Sequence, residues 1–201
     1  MTSIIRFAEP QDAVAIQAIY RPYCESTSIS FEVLAPTVEQ MAERIAKISA
    51  QFPWLVCEVD GDVAGYVYGC QHRERAAYRW CADAAIYLDT RFHRRGIGRA
   101  LYTSLFAMLR EQGYVRAYAG ITLPNPGSVG VHEAMGLTPV ALYPAEGYKL
   151  GKWHDVGWWQ LELRPLTDDP PEPRPITAIR DTQAVADAIA AGERLLAERM
   201  H

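Results

Sequence analysis

The alternation of hydrophobic and polar positions divides the chain into a series of short strands and amphipathic helices. Ile4-Ile5-Arg6-Phe7 reads as a first strand. A helix is expected from about Pro10, a residue suited to a first helical turn, with Val14, Ile16, Ala18, Ile19 and Tyr23 on its apolar side. Ser26 to Pro36 reads as a loop carrying Ile29 and Phe31. Thr37, with Gln40 three residues on, has the form of a capping box and opens a helix that runs to about Ser49. Trp54–Val59 is strand-like, Asp60-Gly61 is a tight hairpin turn, and a second strand follows from Val63. Trp80 to Leu88 is rich in small and apolar residues, as expected in the middle of a sheet. From Gly98 to Gln112 the residues Ile97, Leu101, Leu105, Met108 and Leu109 recur with a helical period, and Gly113 stops the helix. A strand over Ala117–Thr122, a short helix from Ser128 to Met135 ended by Gly136, and strands over Thr138–Tyr143 and Val156–Leu163 complete the series.

The order β-α-α-β-β-β-α-β-α-β-β predicts an α/β fold with a mixed central sheet of six to seven strands, helices on both faces and one buried crossover helix. Residues 1–164 form this domain. Pro165, Pro170, Pro171, Pro173 and Pro175 then make a stiff linker. Asp181 to Met200 is a candidate helix with a thin stripe of Val185, Ile189, Leu196 and Met200. Residues 165–201 are therefore expected to be a tail packed loosely on its own domain or on a partner subunit.

Composition narrows the function. A chain of 201 residues that is 49% apolar and 22% charged can build a real core. The net charge of −4 argues against bulk binding of nucleic acid. The absence of an apolar run of spanning length argues against a membrane span, and no basic-then-apolar leader opens the chain, so a cytoplasmic protein is expected. Cys24, Cys57, Cys70 and Cys81 make no Cys-x-x-Cys pair and have no histidine at ligand spacing. They read as reduced thiols, and no metal site is expected.

Against this acidic background stands the cluster Arg94-Arg95-Gly96-Ile97-Gly98-Arg99, placed where a strand hands over to a helix. A helix start offers unpaired N–H groups and a partial positive charge, and glycines let an anion approach the backbone. The cluster is a candidate phosphate or pyrophosphate cradle. A dinucleotide fingerprint requires a third glycine where Leu101 stands, and a P-loop requires Lys-Ser/Thr where Arg99-Ala100 stand, so neither motif is present.

Several separated stretches carry a family resemblance. The mixed α/β order with the Arg-Arg-Gly-Ile-Gly turn resembles the GCN5-related N-acetyltransferase (GNAT) superfamily. Ser28–Glu32, Arg75-Ala-Ala-Tyr78 with Trp80, Leu123–Val129, His132–Gly136, Tyr148-Lys149 and Trp153–Gln160 resemble its phosphinothricin N-acetyltransferase branch, in the expected order over roughly residues 3–164. The resemblance implies a GNAT fold, acetyl-CoA as donor, the α-amino group of a small amino acid or analogue such as phosphinothricin or methionine sulfoximine as acceptor, and a homodimer. Acetylation of another amine, or acyl-CoA sensing without catalysis, are the alternative readings. Two positions depart from the pattern. His93 stands where Gln or Arg is usual, and Asp83 stands where the branch carries Glu.

The resemblance also assigns roles. Arg94, Arg95, Gly96, Ile97, Gly98 and Arg99 would take the pyrophosphate, and the main chain of Ile86, Tyr87 and Leu88 would face the thioester and its developing oxyanion. Asn125 and Ser128 would hold the pantetheine chain, with helix capping as the other reading of Asn125. Asp83, the only acid between Trp80 and Leu88, would accept the ammonium proton. Its side chain is shorter than Glu by about 1.5 Å, so a bridging water is expected. His132 would protonate the departing thiolate, or else be satisfied within helix packing. Arg73 and Arg75 are candidates for binding the acceptor's carboxylate, and Phe31 and Tyr78 for lining its pocket. Lys149, His154, Trp153, Trp158 and Trp159 read as architectural, forming a far wall or a subunit interface.

Overall fold

A computed structural model describes residues 2–199. Seven strands form one sheet: β1 (Ser3–Phe7), β2 (Trp54–Val59), β3 (Asp62–Gln71), β4 (Cys81–Leu88), β5 (Arg116–Leu123), β6 (Thr138–Lys149) and β7 (Lys152–Glu162). Their spatial order is β1-β2-β3-β4-β5-β7-β6. Every neighbouring pair is antiparallel except β4–β5, which is parallel and needs a crossover helix. That helix is α3 (Ile97–Gln112), whose Leu101, Leu105, Met108 and Leu109 are completely buried.

Helices α1 (Ala13–Glu25) and α2 (Val38–Ser49) cover one face of the sheet. The capping box is present: Gln40 N–H donates to Thr37 Oγ1 at 3.2 Å and Thr37 N–H to Gln40 Oε1 at 2.9 Å. The apolar side expected for the first helix is partly wrong. A 3₁₀ turn takes Pro10–Asp12, and α1 buries Ala13, Ile16, Gln17, Tyr20 and Cys24 along one stripe, with Ile19 beside it. Val14 and Ala18, four residues apart, share a stripe that faces outward.

Two further differences concern the C-terminal half. β6 and β7 extend well past the expected ends. They meet at Leu150-Gly151, whose φ angles of 51° and 79° make a two-residue hairpin turn. Pro144 and Glu146 hide this extension in the sequence. The register slips between Tyr143 and Gly147, where Ala145 takes φ 49° and its N–H bonds to Asp155 Oδ1.

The tail is not loosely packed. Ile176, Ile179, Val185, Ala188 and Leu196 join the same core as α3, with Ile189 partly buried beside them; Met200 lies outside the described residues. Helix α5 (Gln183–Arg199) crosses α3 so closely at Gly192 that a Cβ there would sit 2.7 Å from the Ala100 carbonyl. Glu193 accepts from the Ile5 N–H, and Gln112 donates to the carbonyls of Gln51 and Arg174, which fastens the linker.

Candidate active site

The two faces of β4 set out the site. Ala82, Ala84, Ile86 and Leu88 point to the α3 side, whereas Asp83, Ala85 and Tyr87 point to the α1–α2 side. Pairing of β4 with β5 begins at Cys81–Arg116 and ends at Asp83–Tyr118, whereas pairing with β3 continues to Leu88. From Ala84 onward the two parallel strands part. The edge of β4 that includes Ile86, Tyr87 and Leu88 is therefore free of β5, in the splayed arrangement expected for main-chain contact with a thioester arm. One group on that edge is occupied: the Leu88 carbonyl accepts from Tyr23 O–H at 2.6 Å, with His93 Nε2 3.3 Å away. A pocket of about 180 Å³ lies beside it, lined by Tyr23, Leu88, Asp89 and Thr90 among others.

Just beyond β4 the chain turns into α3. Arg94 and Gly96 take φ 62° and 85°, a left-handed bend that turns the backbone sharply into the helix. Among the described residues, the N–H groups of Arg94 to Arg99 have no protein acceptor, and Arg94, Arg95 and Arg99 have no ion pair. Arg95 lies over the Phe92 ring at 5.2 Å. At Gly98 a Cβ would make ordinary contacts with Val131 at 3.4 Å and Ile86 at 3.7 Å, so protein packing alone does not call for glycine there. Unclaimed donors, the positive end of a 16-residue helix and exposed arginines are what a pyrophosphate requires.

Asp83 has a partner that the sequence did not reveal. Its Oδ1 lies 2.6 Å from Nδ1 of His72, whose ring stacks on Tyr118 at 4.4 Å and meets the edges of Tyr78 and Trp158. Burial pushes the Asp83 carboxyl above its usual range, partly offset by the bond from His72 and the charge of Arg73. The His72–Trp80 connection concealed this contact. Only the β3–β4 register, which pairs Cys70 with Asp83, places residue 72 beside the acid.

His132 is elsewhere. It sits on α4 (Pro126–Ala134), 3% exposed, with Nε2 2.7 Å from the Tyr102 hydroxyl of α3 and Nδ1 2.7 Å from the Ser128 carbonyl. Nδ1 must carry the proton to donate to that carbonyl, and in the neutral ring that burial favours Nε2 accepts from Tyr102. Burial pushes its pKa down, only partly offset by the Ser128 carbonyl. Both nitrogens are thus satisfied within helix packing. Asn125 caps α4, its Oδ1 accepting from the Ser128 N–H at 3.1 Å, and Ser128 Oγ lies 3.3 Å from His132 Nδ1.

The expected acceptor-binding residues border the α1–α2 face. Phe31 packs on Gly147 and tilts over His154, and its loop is fixed by buried Lys149, whose ammonium donates to the carbonyls of Ser30 and Glu32. Burial pushes the Lys149 ammonium down, partly offset by Cys24 and Glu32. Arg44 grips the Glu32 carboxylate through two nitrogens. Arg73 lies 5.7 Å over the Trp158 ring, and Arg75 is exposed at the start of the 3₁₀ turn that contains Tyr78. Trp158 Nε1 is buried without an acceptor among the described residues.

Comparison with known proteins agrees with this geometry. Residues 5–158 match the acetyltransferase (GNAT) domain family. Phosphinothricin N-acetyltransferase of Streptomyces viridochromogenes is 38% identical over 176 residues, 87% of this chain and 95% of that protein. L-methionine sulfoximine/L-methionine sulfone acetyltransferase of Salmonella typhimurium is 31% identical over 160 residues, 79% of this chain and 94% of that protein. The crystal structure of a GNAT superfamily phosphinothricin acetyltransferase from Sinorhizobium meliloti, in complex with AcCoA, has a TM-score of 0.82 at 32% identity and covers 87% of this chain and 96% of that one. With a parting β4–β5 pair, an unclaimed helix start after β4 and family likeness along most of its length, this chain belongs to the GNAT acetyltransferase family.

Proposed function

We propose that the protein transfers acetyl from acetyl-CoA to the α-amino group of a small amino acid or analogue of the phosphinothricin or methionine sulfoximine type. The observation that carries this reading is the position of Asp83, a half-buried carboxyl at the fork where β4 and β5 part, held partly protonatable by burial. The Arg94–Arg99 turn would hold the pyrophosphate, with Asn125 and Ser128 bordering the pantetheine chain. Arg73 and Arg75 would take the acceptor's carboxylate, beside Phe31 and Tyr78. The relatives' substrates, amino acids bearing a second anionic or polar group, suit this pair of arginines.

The acceptor arrives as an ammonium and must lose a proton before it can attack. Asp83 anchors that step. Its short side chain leaves room for a bridging group between carboxylate and amine. His132 enters the scheme only through Ser128 Oγ, since its ring makes no other open contact. It is a positioning residue for the Asn125–Ser128 segment.

The test is CoA release with a panel of free amino acids, phosphinothricin, methionine sulfoximine, methionine sulfone and simple amines. Release that depends on an acceptor carboxylate is expected. Release only with amines that lack one would overturn the acceptor class, and no release with any amine would favour a sensor. We also propose a cytoplasmic homodimer. Val140, Leu142, Tyr143, Tyr148, Leu150 and Trp153 are exposed apolar side chains of the β6–β7 hairpin, which a second copy would cover. Light scattering on the eluted protein reads the mass directly.

A further inference from the structure

The shortness of Asp83 and its contact with His72 belong together. An ionised carboxylate only accepts, so the 2.6 Å bond to Oδ1 requires the proton on Nδ1. The neutral ring then presents its lone pair on Nε2, on the opposite side from the shared bond. That nitrogen has no protein partner among the described residues. The ring is fixed from three directions: it stacks on Tyr118 at an interplanar angle of 16°, and the edges of Tyr78 and Trp158 close around it at 6.1 and 6.0 Å. Tyr118 and Asp83 are the last residues paired before β4 and β5 separate, so the histidine stands at the fork itself.

We propose that His72 Nε2 is the proton acceptor for the incoming amine and that Asp83 is its orienting partner, a His–Asp pair taking the place of one longer carboxylate. The proposal rests on the acetyltransferase reading above. An imidazole suits the task at neutral pH better than a carboxylate, whose conjugate acid is too strong to gain a proton from an ammonium readily. The charges around the ring favour the same division of labour. Cys70 on β3 is held as a neutral thiol, its pKa pushed up to about 12 by burial and by the charge of Asp83. Cys81 on β4 and Tyr118 on β5 are likewise shifted up by burial and stay neutral. Tyr78 completes the enclosure, and Arg73 supplies the remaining formal charge beside Asp83.

The proton balance is complete without another reactant. The ammonium gives one N–H proton to His72 Nε2, leaving an amine lone pair. That pair forms the N–C bond to the thioester carbon, and the C–S bond breaks with its electrons on sulfur. The nitrogen sheds a second proton. One of the two protons ends on the thiol, the other leaves to solvent, and His72 returns to its neutral state. Asp83 remains ionised throughout and stabilises the imidazolium.

Two substitutions test this. His72→Gln keeps a donor toward Asp83 and cannot take up a proton; His72→Phe keeps the stack on Tyr118. CoA release is followed across pH with whichever amine the wild-type enzyme acetylates fastest. Both variants are expected to lose about 100-fold in kcat, within the usual range for removal of a general base, and to lose the ascending limb of the kcat–pH profile. Acetyl-CoA affinity by calorimetry should stay the same, which shows that the variant is folded. Asp83→Asn should slow turnover while the limb persists. Ring ¹⁵N resonances of His72 in the wild-type protein supply a readout that needs no variant: they should titrate over the same pH range as the limb. A limb that survives in His72→Gln, or a ring that does not titrate across it, overturns the proposal. If the wild-type enzyme acetylates only amines without a carboxylate, the acceptor class falls, but the same comparison runs on that amine and still decides the role of His72. An enzyme that acetylates no amine overturns both.

Discussion

The two faces of β4 differ in how completely their polar groups are used. On the α3 side, His132 has both nitrogens bonded, Asn125 caps its helix, and Ala82 and Ala84 pack into a continuous apolar core that the tail completes. On the α1–α2 side, among the described residues, Asp83 has one oxygen engaged, Trp158 Nε1 is buried without an acceptor, and arginines stand unpaired at the rim. Buried polar groups are normally satisfied because leaving them without partners costs free energy. Spare capacity beside Asp83 marks where a ligand's polar groups belong, and the fully bonded His132 with the capping Asn125 marks a cluster that holds shape. Two residues from the same motif set, Asp83 and His132, thus fall into different physical roles although one resemblance assigns both to proton transfer.

The largest effect that can break this contrast is on turnover. Asp83→Asn is expected to lower kcat by about 100-fold or more, the scale of removing acid–base assistance, with acetyl-CoA affinity unchanged in a binding titration. The same variant should be more stable than wild type near neutral pH. The folded-state pKa of Asp83 is raised, so the folded protein binds more protons than the unfolded chain between the ordinary aspartate value and the raised one. Stability therefore falls as pH rises through that window, and ionised Asp83 is a cost above it. Melting curves should show the gain of Asp83→Asn at neutral pH and its disappearance below about pH 3.8. An equally active variant with no gain in stability would place Asp83 on the saturated face.

How much of this was readable beforehand depends on the range of the interactions. Local signals were legible: the Thr37–Gln40 capping box, the Asp60-Gly61 turn, the glycine stop at Gly113, and the helical period of α3 all reappear. The helix start at Arg94–Arg99 was legible because a helix start announces itself in contiguous residues. His72 was not, because its relation to Asp83 depends on a strand register set across an irregular connection. The satisfaction of His132 depends on Tyr102, 30 positions away on another helix. The close packing of the tail is not legible, because a stripe with only a few apolar residues looks weak when the depth of the groove that receives it is unknown. Gly192 is what lets α5 sink onto Ala100 and Ser104.

The saturated face should answer to mutation through stability. Leu196→Ala removes a fully buried side chain between the tail and α3, and should cost about 2–5 kcal/mol in denaturant unfolding. KM for the acceptor should be unchanged, since the tail stands on the other side of the sheet. A loss below about 0.5 kcal/mol, the level of an ordinary surface substitution, would restore the picture of a loosely attached extension. His132→Ala should cost less, about 1–3 kcal/mol for leaving the buried Tyr102 hydroxyl without its acceptor. Its sign against pH differs from that of Asp83. The folded-state pKa of His132 is lowered, so the unfolded chain binds more protons below the ordinary histidine value. The wild-type protein loses stability as pH falls from about 6.5, and the variant lacks that component. A variant that melts like wild type but has lost a limb of its pH–rate profile would move His132 into proton transfer.

The smallest expected effect separates charge from backbone in the proposed anion cradle. The N–H groups of Arg94–Arg99 are fixed by the left-handed turn at Gly96 and by the start of α3, so their contribution survives removal of any one side chain. Arg99→Ala deletes one exposed guanidinium that has no ion pair among the described residues. It should raise KM for acetyl-CoA by about tenfold or less, corresponding to the ~1.5 kcal/mol of one hydrogen bond to a charged group. The difference from wild type should shrink as salt is raised, because exposed charges are screened beyond about 10 Å at 0.1 M. Gly96→Ala keeps every charge and puts a Cβ on a residue at φ 85°. A larger KM effect from this uncharged change than from Arg99→Ala would show that the pyrophosphate is held chiefly by oriented main chain. The reverse order, with strong salt dependence, would make the cradle an electrostatic patch whose glycines merely permit the turn.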